Sequence, residues 1–389
     1  MEYTVVTLGP SGAGKTVYLA VLWQVLRLQH HRLGCYLTLD DVELEQRLNR
    51  AYREVAGPGE WPLSTDGSEF PEWTFSVRVR SQHGQFTAMR VRYLDYAGDR
   101  LTDPQEGSPA QRRLDATMRD ADALLGLLDG RKVLRMMQGD AGFLDEDMSR
   151  VFGLMQGCNG PIHFVITKWD LLAGHYSLKR VRERLMEHPD FHTLATSRQS
   201  WQTAGMPVPP GRVRLIPVSS VGNSFAFLGA DGAMHKKANA RPDPLNVDVA
   251  FAAVLPDLLA NAVSVLKAEA EAERRIARGE QDNMVPQFVR TVASALAAPA
   301  QSLLATRGVQ LPVQTLAAFM AATAGAAAGL IRLPPSELRK ARRLQKTFRR
   351  RSVNAVRDEA SAAQFVTHRL VEVLTEFERS PENDGSNLS

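Results

Sequence analysis

Hydrophobic positions along the chain change period several times, and each change marks an element. Val5–Leu8 is a continuous apolar run, the pattern of a strand buried on both faces. Leu19, Leu22, Trp23, Leu26 and Leu28 follow at helical spacing, which predicts a helix from Val17 to about Gln29. The stretch Val42–Val55 is also amphipathic and reads as an inserted helix. Then the period drops to two. Phe75, Val77 and Val79 alternate with Ser76, Arg78 and Arg80. After a His83-Gly84 turn, Met89, Val91 and Tyr93 alternate with Arg90 and Arg92. That is an antiparallel hairpin with one wetted face. Continuous runs return at Ala123–Leu128 and Ile162–Ile166, again as doubly buried strands. Leu215–Val218 carries Pro217, which cannot donate to a ladder and so predicts an edge strand.

Alternating strands and helices predict an α/β fold: a mostly parallel sheet with one antiparallel hairpin strand and helices on both faces. The polar stretch Gly229–Asn246 reads as a mobile loop, and a helix is expected from Val247 to about Arg278. Gly279–Asn283 then reads as a boundary. The expected organisation is a sheet domain over 1–278, an all-α C-terminal module over 284–379 and a disordered tail over 380–389.

Composition adds three constraints. A chain of 389 residues, 44% hydrophobic and 23% charged, fits a soluble globular protein of one or two domains. Its two cysteines, Cys35 and Cys158, have no metal-ligand spacing and form no disulfide framework, so a cytoplasmic location is expected. The first strand lies so close to Met1 that no signal peptide is expected ahead of it. The net charge of +4 hides an asymmetry: residues 283–389 hold 14 Lys and Arg against 8 Asp and Glu.

The chemistry starts at Gly9-Pro10-Ser11-Gly12-Ala13-Gly14-Lys15-Thr16, which spells G-x-x-x-x-G-K-[ST] between strand and helix. Backbone N–H groups and the positive end of a helix dipole converge there on an anion. Lys15 would reach the β- and γ-phosphates of a nucleoside triphosphate, and Thr16 would ligate Mg²⁺. Asp95-Tyr96-Ala97-Gly98 follows the strand Val91–Leu94, where a carboxylate holds Mg²⁺ and a glycine N–H approaches the γ-phosphate. Thr167-Lys168-Trp169-Asp170 follows the strand Ile162–Ile166. Guanine presents N1–H and a 2-amino group side by side, and the Asp170 carboxylate can accept from both; adenine would leave it facing a lone pair. Val218-Ser219-Ser220-Val221 follows the last strand, with the Ser220 N–H placed to donate to guanine O6.

These four elements, in this order over residues 1–275, resemble the TRAFAC-class, Ras-like GTPases. Their feel is closest to bacterial regulatory, double-GTPase-like families. The resemblance implies a phosphate-loop GTPase fold binding GTP or GDP with Mg²⁺. Gly9, Ser11, Gly12, Ala13, Gly14, Lys15 and Thr16 would hold phosphate; Thr167, Lys168, Asp170, Ser219 and Ser220 would read guanine. Asp95 and Gly98 would form the second switch, and Mg²⁺ would be held by Thr16, Asp95 and a first-switch threonine. That threonine is best matched by Thr65, with Ser64 and Thr38 as rivals. Where small GTPases carry a water-orienting glutamine, this chain has Asp99, which implies slow intrinsic hydrolysis.

The implied function is a Mg²⁺-dependent GTPase switch whose nucleotide state controls a protein effector or is set by an activating partner. A GTP-binding module with little turnover, and a membrane-associated, assembly-stimulated GTPase, stay open. The last rests on Leu311–Ile331, an uncharged run of 21 residues containing Gly325-x-x-x-Gly329 and followed by the basic stretch Arg339–Arg351. Its Ala, Gly and Thr content favours a soluble bundle or a homo-oligomer contact over a membrane contact. Without interleaved aromatics, the basic stretch gives no expectation of nucleic-acid binding.

Overall fold

The structure, a computed structural model, describes residues 2–62, 72–95, 112, 116–118, 120–158, 160–203, 213–254 and 353–388. Nine strands are described: β1 (Glu2–Leu8), β2 (Tyr36–Leu39), β3 (Glu72–Ser81), β4 (Gly84–Asp95), β5 (Ala123–Asp129), β6 (Ile162–Thr167), β7 (Arg214–Pro217), β8 (Ala226–Leu228) and β9 (Met234–Lys236). The first seven form one sheet in the order β2-β3-β4-β1-β5-β6-β7. From β4 to β7 every neighbouring pair is parallel. Only β3 against β4 and β2 against β3 run antiparallel. The C-terminal ends of five parallel strands therefore share one edge, where open α/β sheets bind ligands.

The apolar runs become the central strands because both faces are covered. Val5, Leu125, Leu127 and Val165 face one core; Val6, Leu8, Leu124, Leu128, Phe164 and Ile166 face the other. Helices α1 (Lys15–Leu26) and α2 (Val42–Ala56) cover the first face. The second is covered by α3 (Gly130–Met137), α4 (Ser149–Gln156), α5 (Leu178–Met186) and α6 (Pro189–Thr203). The inserted helix is thus present, with Asp41 capping the amides of Glu43 and Leu44. Helix α1 stops at Leu26, so Leu28 leaves the helical face and is exposed. Strand β7 lies at the sheet edge, as Pro217 requires.

Three expectations fail on the described residues. The stretch Gly229–Asn246 is not simply a loop: Met234–Lys236 pairs with Ala226–Leu228 as a second small sheet. The tail is not disordered. Leu215 N–H donates to Ser386 O at 2.8 Å and Leu388 N–H to Val213 O at 2.9 Å, so the chain end covers the exposed edge of β7. Nor is the last helix part of a separate module. Helix α7 (Glu359–Arg379), opened by an Asp358–Ser361 capping box, buries Val366, Leu370, Val373, Leu374 and Phe377 in the α1 face of the sheet.

Polar ties fix that docking. Arg214 on β7 meets Glu378 on α7 at 2.9 Å, and Arg369 donates to His31 O at 3.2 Å. Gly34, at φ 66°, allows the close approach: a Cβ there would stand 2.5 Å from the Phe365 ring. The helical segment 247–254 also packs on this face, its Ala253 carbonyl accepting from Nε2 of buried His163 at 3.1 Å. Burial, then Arg214, drives that imidazole's pKa well below the ordinary value and keeps it neutral. Both segments flanking 255–352 thus belong to the sheet domain. Residues 279–283 of the expected boundary, Leu311–Ile331 and most of the 284–379 module lie outside the described residues. Among the described residues no helix is long and apolar enough to cross a membrane. Since Leu370 is fully buried, Leu370→Ala is expected to cost about 2–5 kcal/mol. Urea unfolding checks this; an unchanged midpoint would show that α7 adds nothing to the core.

Candidate functional site

At the shared strand edge, β1 passes into the loop Gly9–Thr16 and then α1. Gly12 and Gly14 adopt φ 75° and 86°, the left-handed region where a side chain is strained. A Cβ on Gly9 would lie 2.9 Å from Leu127 O, so the loop hugs β5. Gly14 occupies the N-cap position of α1, and no side chain caps that end. The first-turn amides and the positive end of the helix therefore face the loop's concave side. Lys15 Nζ donates to Gly9 O at 2.8 Å and Pro10 O at 3.1 Å, which holds the ammonium over the loop. Ser11 and Gly12 form its exposed rim.

Two strands away, β6 ends in Thr167. Its hydroxyl donates to Ala13 O at 2.7 Å, with Leu128 O at 3.2 Å. Lys168 is left-handed at φ 51°, and its Nζ donates to Gly12 O at 2.8 Å. Both side chains thus stitch the Thr167–Asp170 segment to the phosphate-type loop. Asp170 receives the Ser219 hydroxyl at 2.5 Å, and the same oxygen of Ser219 accepts from Gly222 N–H at 2.8 Å. Burial raises the Asp170 pKa from its ordinary value, against the lowering effects of Ser219, its own amide and Lys168.

Ser219 spends its backbone N–H on Leu245 O, whose own N–H returns to Ser219 O. No backbone carbonyl of the described residues accepts from the Ser220 amide. Gly9–Thr16, Thr167–Asp170 and Ser219–Ser220 are therefore brought together.

The switch residues are placed less fully. Asp95 ends β4 beside Thr7 of β1. Thr65 and Ser64, with Gly98 and Asp99, lie outside the described residues. Thr38 sits on β2, and the register through Ser76 and Arg90 sets it level with Glu2, at the end of β1 away from Thr16. That removes it as a partner for Thr16. Among the described residues no group of three or more His, Cys, Asp or Glu could hold a metal. The hydroxyl of Thr16 and a carboxylate on Asp95 are nonetheless the hard oxygen donors that Mg²⁺ requires.

One residue escaped the sequence reading. Asp129, at the end of β5, is buried and places both carboxylate oxygens 2.9 Å from Lys168 Nζ. The signal was an Asp-Gly pair directly after an apolar strand. Compared with known proteins, the chain matches no family model and shows no significant similarity to a curated protein.

Proposed function

We propose that this protein is a GTPase switch of the TRAFAC-like kind, binding GTP with Mg²⁺ and hydrolysing it to GDP and phosphate. The observation that carries the proposal is the network joining Thr167 and Lys168 to the carbonyls of Ala13 and Gly12 while Asp170 pairs with Ser219. It makes a base-reading loop and a phosphate loop into two walls of one site. The sheet supports the same reading, since an antiparallel strand precedes β4 and all the motif elements described stand at one edge.

In this site the Asp170 carboxylate accepts from guanine N1–H and the 2-amino group, and Ser220 N–H donates to O6. The Lys168 stem lies along the base. Loop amides from Gly12 to Thr16 and the Lys15 ammonium bind the β- and γ-phosphates and neutralise charge as it develops. Thr16, Asp95 and Thr65 would hold Mg²⁺, which would supply further neutralisation of the triphosphate's charge. Water attacks the γ-phosphorus in line as the bond to the β-phosphate oxygen breaks. Asp99 accepts a proton but cannot donate to the γ-phosphate, so the intrinsic step is slow and an activating partner has scope to speed it.

Single-turnover release of phosphate from GTP, with Mg²⁺ or with EDTA, tests the enzymatic half of this reading. Release above the spontaneous rate only with Mg²⁺, and lost in Thr16→Ala, is expected. Release no faster than from free GTP would leave a GTP-binding module without turnover.

A further inference from the structure

We propose that Asp129-Gly130 is the positioning element of the base-reading loop, acting through Lys168; this rests on the guanine-nucleotide reading above. Among the described residues only three non-glycines have positive φ: Lys168, Asn239 and Asn246. Asparagine tolerates that region through its short polar side chain, and lysine has no such relief. A left-handed Lys168 persists only if its surroundings over-determine it.

Asp129 and Gly130 provide that constraint in two ways. The ammonium of Lys168 has three N–H donors, and three acceptors surround it: both Asp129 oxygens at 2.9 Å and Gly12 O at 2.8 Å. The Asp129 side chain is 0% exposed, so its charge is compensated by Lys168 and by the Arg131 amide it caps at 2.9 Å. Gly130 then seats the backbone. A Cβ at that position would stand 2.1 Å from Thr167 O and 2.8 Å from Lys168 O, so only glycine lets α3 begin directly against the Thr167–Lys168 peptide.

The kink this holds has a consequence at each end. It turns the Thr167 hydroxyl inward to Ala13 and swings Asp170 across to Ser219. Asp129 does not touch the base; it sets the angle at which Asp170 meets it. Removing its charge leaves the ammonium with neutral carbonyl acceptors only, and the backbone at Lys168 is released toward ordinary helical or extended angles.

The test is a double-mutant cycle in the full chain, reading dissociation constants for GTP and inosine triphosphate, which lacks the 2-amino group. Asp129→Asn keeps the shape and removes the charge. It is expected to weaken GTP about tenfold, the worth of one charge-assisted hydrogen bond, and to shrink the preference for GTP over inosine triphosphate. In a Lys168→Met background the same substitution should add no further loss. A contribution to folding alone would move the melting temperature and leave the GTP-to-inosine ratio unchanged. Wild-type GTP affinity and ratio in Asp129→Asn, or multiplying losses in the double variant, would overturn the proposal. If Asp129→Asn gives no folded protein, Lys168→Met alone decides, with the same loss of ratio expected and an unchanged ratio contradicting it. A wild-type chain that binds ATP as tightly as GTP would instead defeat the guanine reading itself.

Discussion

Asp170→Asn is expected to exchange guanine for xanthine. The carboxylate accepts two hydrogen bonds from guanine, and an amide at that position points an N–H₂ group at the base's own donors. Each lost bond to a charged acceptor is worth about 1.5–3 kcal/mol, so GTP affinity should fall by roughly two to four orders of magnitude. Xanthine carries a carbonyl where guanine has its 2-amino group. An asparagine accepts from N1–H and donates to that carbonyl, so the variant should bind xanthosine triphosphate in preference to GTP. Ser219 can still donate to the new side-chain oxygen, which keeps the loop in place.

The same carboxylate gives a pH dependence with a definite sign. Burial raises the Asp170 pKa in the free protein, and two donors from a bound guanine lower it again. Binding therefore releases a proton when the pH lies near or below the raised value. GTP affinity should be level at higher pH and fall as pH drops through that value, by up to about tenfold per unit. The fall should begin at a higher pH than an ordinary aspartate would give. Asp170→Asn removes this acid limb; a limb of equal size in the variant would assign it to another group.

The second large effect is expected at Lys15. Its ammonium rests on Gly9 O and Pro10 O, both weaker partners than a triphosphate. Lys15→Met leaves the loop's glycine geometry intact and removes the only side-chain cation of the Gly9–Thr16 motif. Truncating one partner of a close charge pair costs about 2–5 kcal/mol, at least some 30-fold in affinity. GTP and GDP should both weaken, GTP more, because the γ-phosphate loses its nearest positive charge. Calorimetric titration of both nucleotides checks this. Equal affinity for wild type and variant would mean that Gly9–Thr16 does not hold phosphate.

Much of this arrangement was legible in the chain because local chemistry dictates it. Gly12 and Gly14 stand where φ must be positive, and the apolar runs of β5 and β6 announce burial on both faces. The β3–β4 alternation fixed an antiparallel hairpin, apart from a register shift between Val77 and Arg78. What escaped depends on partners distant in sequence. Strand β2 has four residues, too few to show a period. The β8–β9 ribbon has three in each strand and is held by contacts from elsewhere, Lys236 over the Trp61 ring and Trp61 N–H on Met234 O.

The end of the chain misled for a related reason. Ser380–Ser389 is polar enough to read as disordered, yet backbone pairing along β7 needs no hydrophobic side chains, and Leu388 adds an apolar side chain buried in the α3–α6 face. Helix α7 is amphipathic, but nothing local says that its apolar stripe belongs on a sheet whose seven strands end at Pro217, more than a hundred residues earlier. Asp129 looked like any strand-end Asp-Gly turn until Lys168, 39 residues on, brought its ammonium there.

If one site reads guanine and phosphate together, nucleotides that differ only in the base must compete for it unequally. A fluorescent GTP analogue bound to the full chain with Mg²⁺ should be displaced by GTP and GDP at concentrations at least about a hundredfold below those needed for ATP. Displacement by ATP at the same concentrations as GTP would mean that Asp170 and Ser220 do not read guanine.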